Sequence, residues 1–117
     1  SGEVQITFAN NKMYVVVTPD YYVNKPGTIL EYDPSLNTCI KKYEFSSVSG
    51  SVPTGGLTLS SNGNFYGTTQ AGGLYNSGVL YEWNPSTNAY NKLMDFNGTN
   101  GIPYKNTLVL TNASIAT

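Results

Sequence analysis

The sequence predicts an all-β fold made from two copies of one unit, and three observations carry that expectation. The 117 residues repeat internally: Gly27-Thr-Ile-Leu-Glu-Tyr-Asp-Pro-Ser-Leu-Asn37 returns as Gly78-Val-Leu-Tyr-Glu-Trp-Asn-Pro-Ser-Thr-Asn88, an offset of 51 residues. Lys41, Phe45 and Gly50 return at the same offset as Lys92, Phe96 and Gly101, and Leu57-Thr-Leu-Ser60 returns as Leu108-Val-Leu-Thr111. Second, no segment has helical periodicity, while β-branched and aromatic residues gather in short runs between turn residues. Third, Asp33-Pro-Ser-Leu-Asn37 and Asn84-Pro-Ser-Thr-Asn88 carry hairpin chemistry. Proline presets φ, and Asp or Asn on either side bonds locally or tolerates left-handed geometry. A repeat of this length built from short strands marks a propeller or solenoid unit.

Nine strands follow in order, at 3–8, 12–18, 27–32, 39–45, 56–60, 64–70, 78–83, 89–96 and 106–111. Ile6-Thr7-Phe8, Leu57-Thr58-Leu59 and Leu108-Val109-Leu110 are three versions of one strand, the first of a unit. The second strands open at Asn-Lys-Met-Tyr (11–14) and at Asn-Gly-Asn-Phe-Tyr (62–66). The third strands carry apolar groups on both faces, with Tyr81, Trp83 and Val79 against Leu80, and Leu30, Tyr32 and Ile29 in the first copy. A sheet apolar on both faces has to be covered on both. Symmetric pairing about the proline turns sets Glu31 opposite Lys41 and Glu82 opposite Lys92, a cross-strand charge match in each copy. The chain is thus expected to be a single repeat domain over 1–117, with a first unit at about 3–55, a second at about 56–105 and an extra strand at about 106–111.

Composition excludes several function classes. Charge is sparse and balanced, six Lys with no Arg against seven acids, so there is no electrostatic footprint for nucleic acid or an anionic membrane. No apolar run approaches the roughly 20 residues of a membrane helix. Without His there is no Ser-His-Asp triad, Cys-His dyad or His-ligated zinc. Without Arg there is no bidentate clamp for carboxylate or phosphate, no glycine stretch has phosphate-loop spacing, and no calcium loop of spaced acids is present. No catalytic residue, metal or cofactor is expected. Polarity comes from fourteen Asn, from Ser and Thr, and from ten Tyr, a surface like that of secreted bacterial β-proteins and glycan binders. Ser1-Gly2 is the dipeptide that tag removal leaves, compatible with a natural leader upstream. Cys39 is the lone cysteine and stands where Tyr90 stands in the second copy, which suggests an ordinary packing position.

Two resemblances follow from these residues. Gly72-Gly73, a short loop, and then Leu80-Tyr81-Glu82-Trp83-Asn84-Pro85-Ser86-Thr87-Asn88 look like a kelch-type propeller blade. Gly63-Asn-Phe-Tyr-Gly-Thr-Thr-Gln-Ala-Gly-Gly73 with Gly78-Val-Leu is closer still to bacterial repeats of the GloVer type, found in tandem in secreted or surface proteins. The second copy fits well. The first departs, with Val15-Val-Val-Thr-Pro19 replacing Gly67-Thr-Thr-Gln-Ala71 and Asp20-Tyr21 replacing the glycine pair. The resemblance implies four-stranded, kelch-like blades, two per chain plus one opening strand, and an extracellular or cell-surface location. Propellers close with four to eight blades. The fold class is therefore expected to be completed by homo-oligomerisation, a trimer giving six blades, or by further sequence of a longer array.

Binding is the function expected of such a chain. In a propeller, the loops from second to third strand and from fourth strand to the next blade share one face. Here they are 19–26, 71–77, 46–54 and 97–105, and they hold Asp20, Tyr21, Tyr22, Asn24, Tyr75, Asn76 and Tyr104. Aromatic rings beside amides and a carboxylate suit a sugar, which offers a C–H face and hydroxyls. Trp83, matched by Tyr32 on a central strand, reads as core. Glu31 with Glu82, Glu44 with Asp95 and Asp33 with Asn84 fall on repeat positions and read as structural, leaving Asp20 unmatched. Asn97-Gly-Thr and Asn112-Ala-Ser match the glycosylation pattern by composition alone. The expectation is a non-catalytic extracellular binding or structural module, lectin-like when closed. An interaction scaffold of a bacterial surface protein and a fragment of a propeller glycoside hydrolase are the alternatives.

Overall fold

In a computed structural model, which describes residues 3–18 and 26–97, eight strands form two four-stranded antiparallel sheets. The first holds β1 (Glu3–Ala9), β2 (Lys12–Thr18), β3 (Thr28–Asp33) and β4 (Thr38–Glu44), and the second holds β5 (Ser51–Leu59), β6 (Phe65–Ala71), β7 (Val79–Trp83) and β8 (Tyr90–Asp95). Each sheet is a simple meander in chain order. The described residues contain no helix, and the fold is all-β as the sequence predicts. Eight of the nine expected strands are found; 106–111 lies outside the described residues.

Local chemistry explains the turns. Asn10 and Asn11 both take positive φ, 56° and 61°, and close a two-residue hairpin between β1 and β2. That is the primed turn whose twist matches the strands, and Asn tolerates it well. The proline turns are built alike. Asp33 Oδ1 accepts from Ser35 N–H at 2.9 Å, and Asn84 Oδ1 accepts from Ser86 N–H at 2.8 Å. Asn37 and Asn88 then enter the left-handed region at φ 52° and 65°. Tyr32 donates its hydroxyl to Asn37 Oδ1, and Trp83 donates its indole N–H to Asn88 Oδ1, each at 2.8 Å.

The register corrects one expectation. Asp33 pairs with Thr38, so the turn holds four residues and Glu31 faces Ile40 while Leu30 faces Lys41. In the second sheet Glu82 faces Asn91 and Tyr81 faces Lys92. A shared bulge skips Lys42 and Leu93 at corresponding places. Lys41 instead reaches Glu44 at 3.4 Å, Lys92 reaches Asp95 at 3.2 Å, and Glu31 is neutralised by Lys12 at 3.5 Å. A second correction concerns β5, which begins at Ser51 rather than 56. Pro53 and the Gly55-Gly56 pair read as loop, yet Ser51, Pro53 and Thr54 pair with Ala71, Thr69 and Thr68 before a bulge at 54–58. β5 passes beside Thr7 of β1, whose hydroxyl donates to the Leu57 carbonyl at 3.0 Å. Cys39 is a third correction: it is exposed, whereas Tyr90 is half-buried.

The core lies between the sheets. Tyr14, Val16, Ile29 and Phe45 come from the first sheet and its exit, and Leu57, Phe65, Val79, Tyr81 and Trp83 from the second. Tyr14 leans on Phe65 and on the edge of Trp83, with centroids at 5.0 and 5.7 Å. Tyr43 stacks on Tyr90 at 4.3 Å, and Phe45 meets Tyr81 edge-on at 5.3 Å. Gly67 makes room for this layer, since a Cβ there would lie 2.6 Å from the Tyr81 hydroxyl.

Trp83 is fully buried and is the single tryptophan, so its truncation tests the layer directly. Trp83→Ala is expected to cost about 3–5 kcal/mol, the usual range for a large core aromatic. Urea denaturation followed by circular dichroism measures it, and a loss under 1 kcal/mol, roughly the scale of a surface substitution, sinks the assignment.

Candidate functional site

The loop between β6 and β7, residues 72–78, is the best-defined surface feature at the expected ligand end. Its path needs residues that accept positive φ: Gly72 at 81°, Gly73 at 84°, Asn76 at 53° and Gly78 at 98°. Asn76 closes the loop from within, because its Oδ1 accepts the Gly72 N–H at 2.9 Å while its own N–H donates to the Gly73 carbonyl at 3.3 Å. Gly78 N–H returns to the Gly72 carbonyl at 3.1 Å. From outside, Asp95 Oδ1 accepts the Leu74 N–H at 2.8 Å, and Ser47 accepts the Gly73 N–H at 3.0 Å.

Ser47 belongs to the neighbouring loop 46–50, so the two loops share one end of the molecule, as the sequence reading expects. That loop is tied by a Ser46–Gly50 backbone pair and by the Ser46 and Ser49 hydroxyls at 2.7 Å. Tyr90 donates to the Ser49 carbonyl at 2.8 Å, which roots the loop in the aromatic layer. Above this fixed base stand Val48, Leu74 and Tyr75, exposed to 78, 70 and 55 %.

Of the expected site residues, Tyr75 and Asn76 are described, and Asp20, Tyr21, Tyr22, Asn24 and Tyr104 lie outside the described residues. Tyr75 projects from the loop, whereas the Asn76 carbonyl oxygen is engaged in the turn. Sequence reasoning missed Leu74, Val48 and the anchoring role of Asp95. The signal for Leu74 was a large apolar residue between glycines, where no strand can bury it.

The carboxylates serve architecture. Glu82 accepts from the Tyr66 hydroxyl at 2.6 Å, from Asn64 at 3.0 Å and from Asn91 at 3.2 Å. The Tyr66 hydroxyl holds the Glu82 carboxyl below its usual range, and the Leu74 N–H does the same for Asp95. Asp33 is lowered by the Ser35 hydroxyl. Tyr14 is pushed up to about 12 by burial, then by its bond to Glu31, and Tyr81 and Tyr90 are pushed up by burial and by Tyr43. Among the described residues no three or more His, Cys, Asp or Glu could hold a metal ion, and no helix is long and apolar enough to cross a membrane.

Fold and surface together define an all-β repeat protein of two stacked antiparallel sheets in which the loops 46–50 and 72–78 meet at one end. Residues 2–116 match the Gloeobacter/Verrucomicrobia repeat, and the chain belongs to that family. A search among curated proteins found no match.

Two outcomes are expected from this geometry. Gly78→Ala combines a positive φ with a collision against the Thr69 carbonyl, so it should destabilise by roughly 2 kcal/mol or more; an unchanged urea midpoint contradicts the loop path. The pH profile should be a plateau with two flanks. Raised tyrosines contribute stability that is complete below the unfolded value near 10 and is lost as pH climbs through their folded values. The lowered carboxyls of Glu82 and Asp95 contribute stability present above the unfolded value near 4 and lost as pH falls through their folded values. Tyr66→Phe removes the main support of the Glu82 carboxylate and should flatten the acid flank, read from urea midpoints across pH.

Proposed function

We propose that the chain is a non-catalytic propeller-type repeat module of a secreted or surface-exposed bacterial protein, with kelch-like blades, and that it binds a glycan at the loop end carrying Tyr75. One observation carries the reading: the acids whose surroundings are described are engaged in holding the fold, while an aromatic ring stands free on a rigid loop. Glu31 is bound to Lys12, Glu44 to Lys41, Asp33 to Ser35, Glu82 to Tyr66, and Asp95 to Leu74 and Lys92. A chemistry of paired acids needs two carboxyls flanking one bond, and this division of labour gives it no support. A ring fixed at its base suits the C–H face of a sugar at little entropic cost. Face-to-face packing of two meander sheets that repeat in sequence supports the blade reading.

The exposed Val48 and Leu74 beside Tyr75 favour, as a second reading, a scaffold that takes a protein partner at the same end. A glycan array probed with the intact chain decides between them. Binding to a defined sugar class, weakened about tenfold or more by Tyr75→Ala, is expected of an aromatic platform. No glycan bound at any loading, or a signal that Tyr75→Ala leaves unchanged, removes the glycan reading and favours the scaffold.

A further inference from the structure

The two sheets are copies, and their registers show which residues correspond. Met13 pairs with Tyr32 where Phe65 pairs with Trp83, and Cys39 faces Tyr32 where Tyr90 faces Trp83. Leu30 therefore stands for Tyr81, and Ile6 for Leu57. In the second sheet these positions form the face buried against the first sheet. In the first sheet the same face is open. Phe8 pairs with Met13 and Ile6 with Val15, which pairs with Leu30, so one apolar surface runs across β1, β2 and β3. Ile6 and Phe8 on it are 51 and 75 % exposed. Contiguous apolar surface of this kind marks an interaction site.

The complementary surface is present on the same chain. The first sheet covers the second with Tyr14 and Tyr43, whose counterparts are Tyr66 and Met94 on the other face of the second sheet. Where the internal contact stacks Tyr43 on Tyr90, the corresponding contact joins Met94 to Cys39. Both side chains are smaller there, so the two sheets would approach more closely at that point to keep contact. Tyr66, the counterpart of Tyr14, is already 5 % exposed within the single chain, so on that face Met94, 39 % exposed, and the half-buried Leu80 carry the contact.

We infer that the open face of the first sheet docks the outer face of the second sheet of another copy of this chain, repeating the internal interface between molecules. It does not depend on the ligand proposed above. Such an interface is heterologous, one patch meeting a different one, so it propagates until a ring closes. Three copies would give six sheets, within the usual range for closed propellers.

Light scattering coupled to size exclusion on the intact chain tests this, with Ile6→Lys as the disrupting variant and maleimide labelling of Cys39 as an independent probe. The expected result is a mass of three chains of 12.6 kDa, reduced to one chain by Ile6→Lys with an unchanged circular dichroism spectrum. Cys39, exposed in the single chain, should label about tenfold more slowly in the assembled wild type, since thiol reactivity follows access. A single-chain mass up to the highest soluble concentration overturns the inference. So does an assembly in which Cys39 labels as fast as in unfolded chain, because the contact would then lie elsewhere. That labelling needs only wild-type protein, so a variant that fails to fold does not spoil the test.

Discussion

Everything in this structure depends on covering strands that are apolar on both faces. β3 and β7 present Ile29 and Val79, Tyr81 and Trp83 toward the inter-sheet core, and Leu30 and Leu80 away from it. A sheet of that kind has no solvated side to offer. The inner face is satisfied by a layer of rings, Tyr14, Phe65, Trp83, Phe45, Tyr81, Tyr43 and Tyr90, mostly tilted or edge-on. Such pairs add about 0.5–1.5 kcal/mol each beyond the area they bury. Tyrosine is usable there because its polar end reaches the margin. The Tyr90 hydroxyl finds the Ser49 carbonyl, and Tyr43 finds the Ser49 hydroxyl at 3.3 Å. The same contacts position the loop 46–50, which in turn holds the glycine loop, so the packing of the core determines where the surface loops stand.

The repeat made most of this legible. Identical turn chemistry at Asp33–Asn37 and Asn84–Asn88 announced two copies of one hairpin, and the structure builds them with the same aromatic-to-Asn bond. The failures are local and physical. Glu31 and Lys41 read as partners from symmetric pairing about the turn, but with Asn37 in left-handed geometry Asp33 pairs with Thr38 and the register differs by one residue. A slip of one residue in register sends a side chain to the other face, so the charge match dissolved and Lys12 took the place of Lys41. The start of β5 was hidden because Pro53 and Gly55-Gly56 are poor strand formers taken singly. Val52 even adopts φ 55°, rare for a β-branched residue, held by its N–H bond to the Pro26 carbonyl at 2.7 Å. Pairing with β6 and the bond from the Thr18 hydroxyl of β2 to the Pro53 carbonyl override that local preference.

At the candidate site the sequence was a weaker guide. An Asn beside an aromatic reads equally as a ligand group and as a turn former, and composition does not separate the two. Its neighbours do: three glycines in a seven-residue loop demand positive φ nearby, and Asn is the side chain that supplies both the angle and an acceptor for its own turn. Asn76 fits that role and Tyr75 does not, which is why the ring alone is left facing solvent. Asp95 was readable as a repeat position but not as the anchor of Leu74, since that bond spans 21 residues.

The divergence between the copies follows burial rather than chance composition. Tyr14–Glu31 and Tyr66–Glu82 are the same pair on the same face. Glu31, 7 % exposed beneath the second sheet, is compensated by a cation, Lys12, whereas Glu82 is half-buried and satisfied by neutral donors, Asn64 and Asn91. A carboxylate taken out of water needs an opposite charge more than one that keeps its hydration. The register puts Lys12 and Asn64 at equivalent positions, each just before the strand residue paired with Tyr32 or Trp83. The substitution between them records which face each copy has to close. The same logic separates the aromatic face of the second sheet, shaped against a partner already present, from the corresponding face of the first, which keeps Phe8 and Tyr32 but has Leu30 and Cys39 in place of Tyr81 and Tyr90.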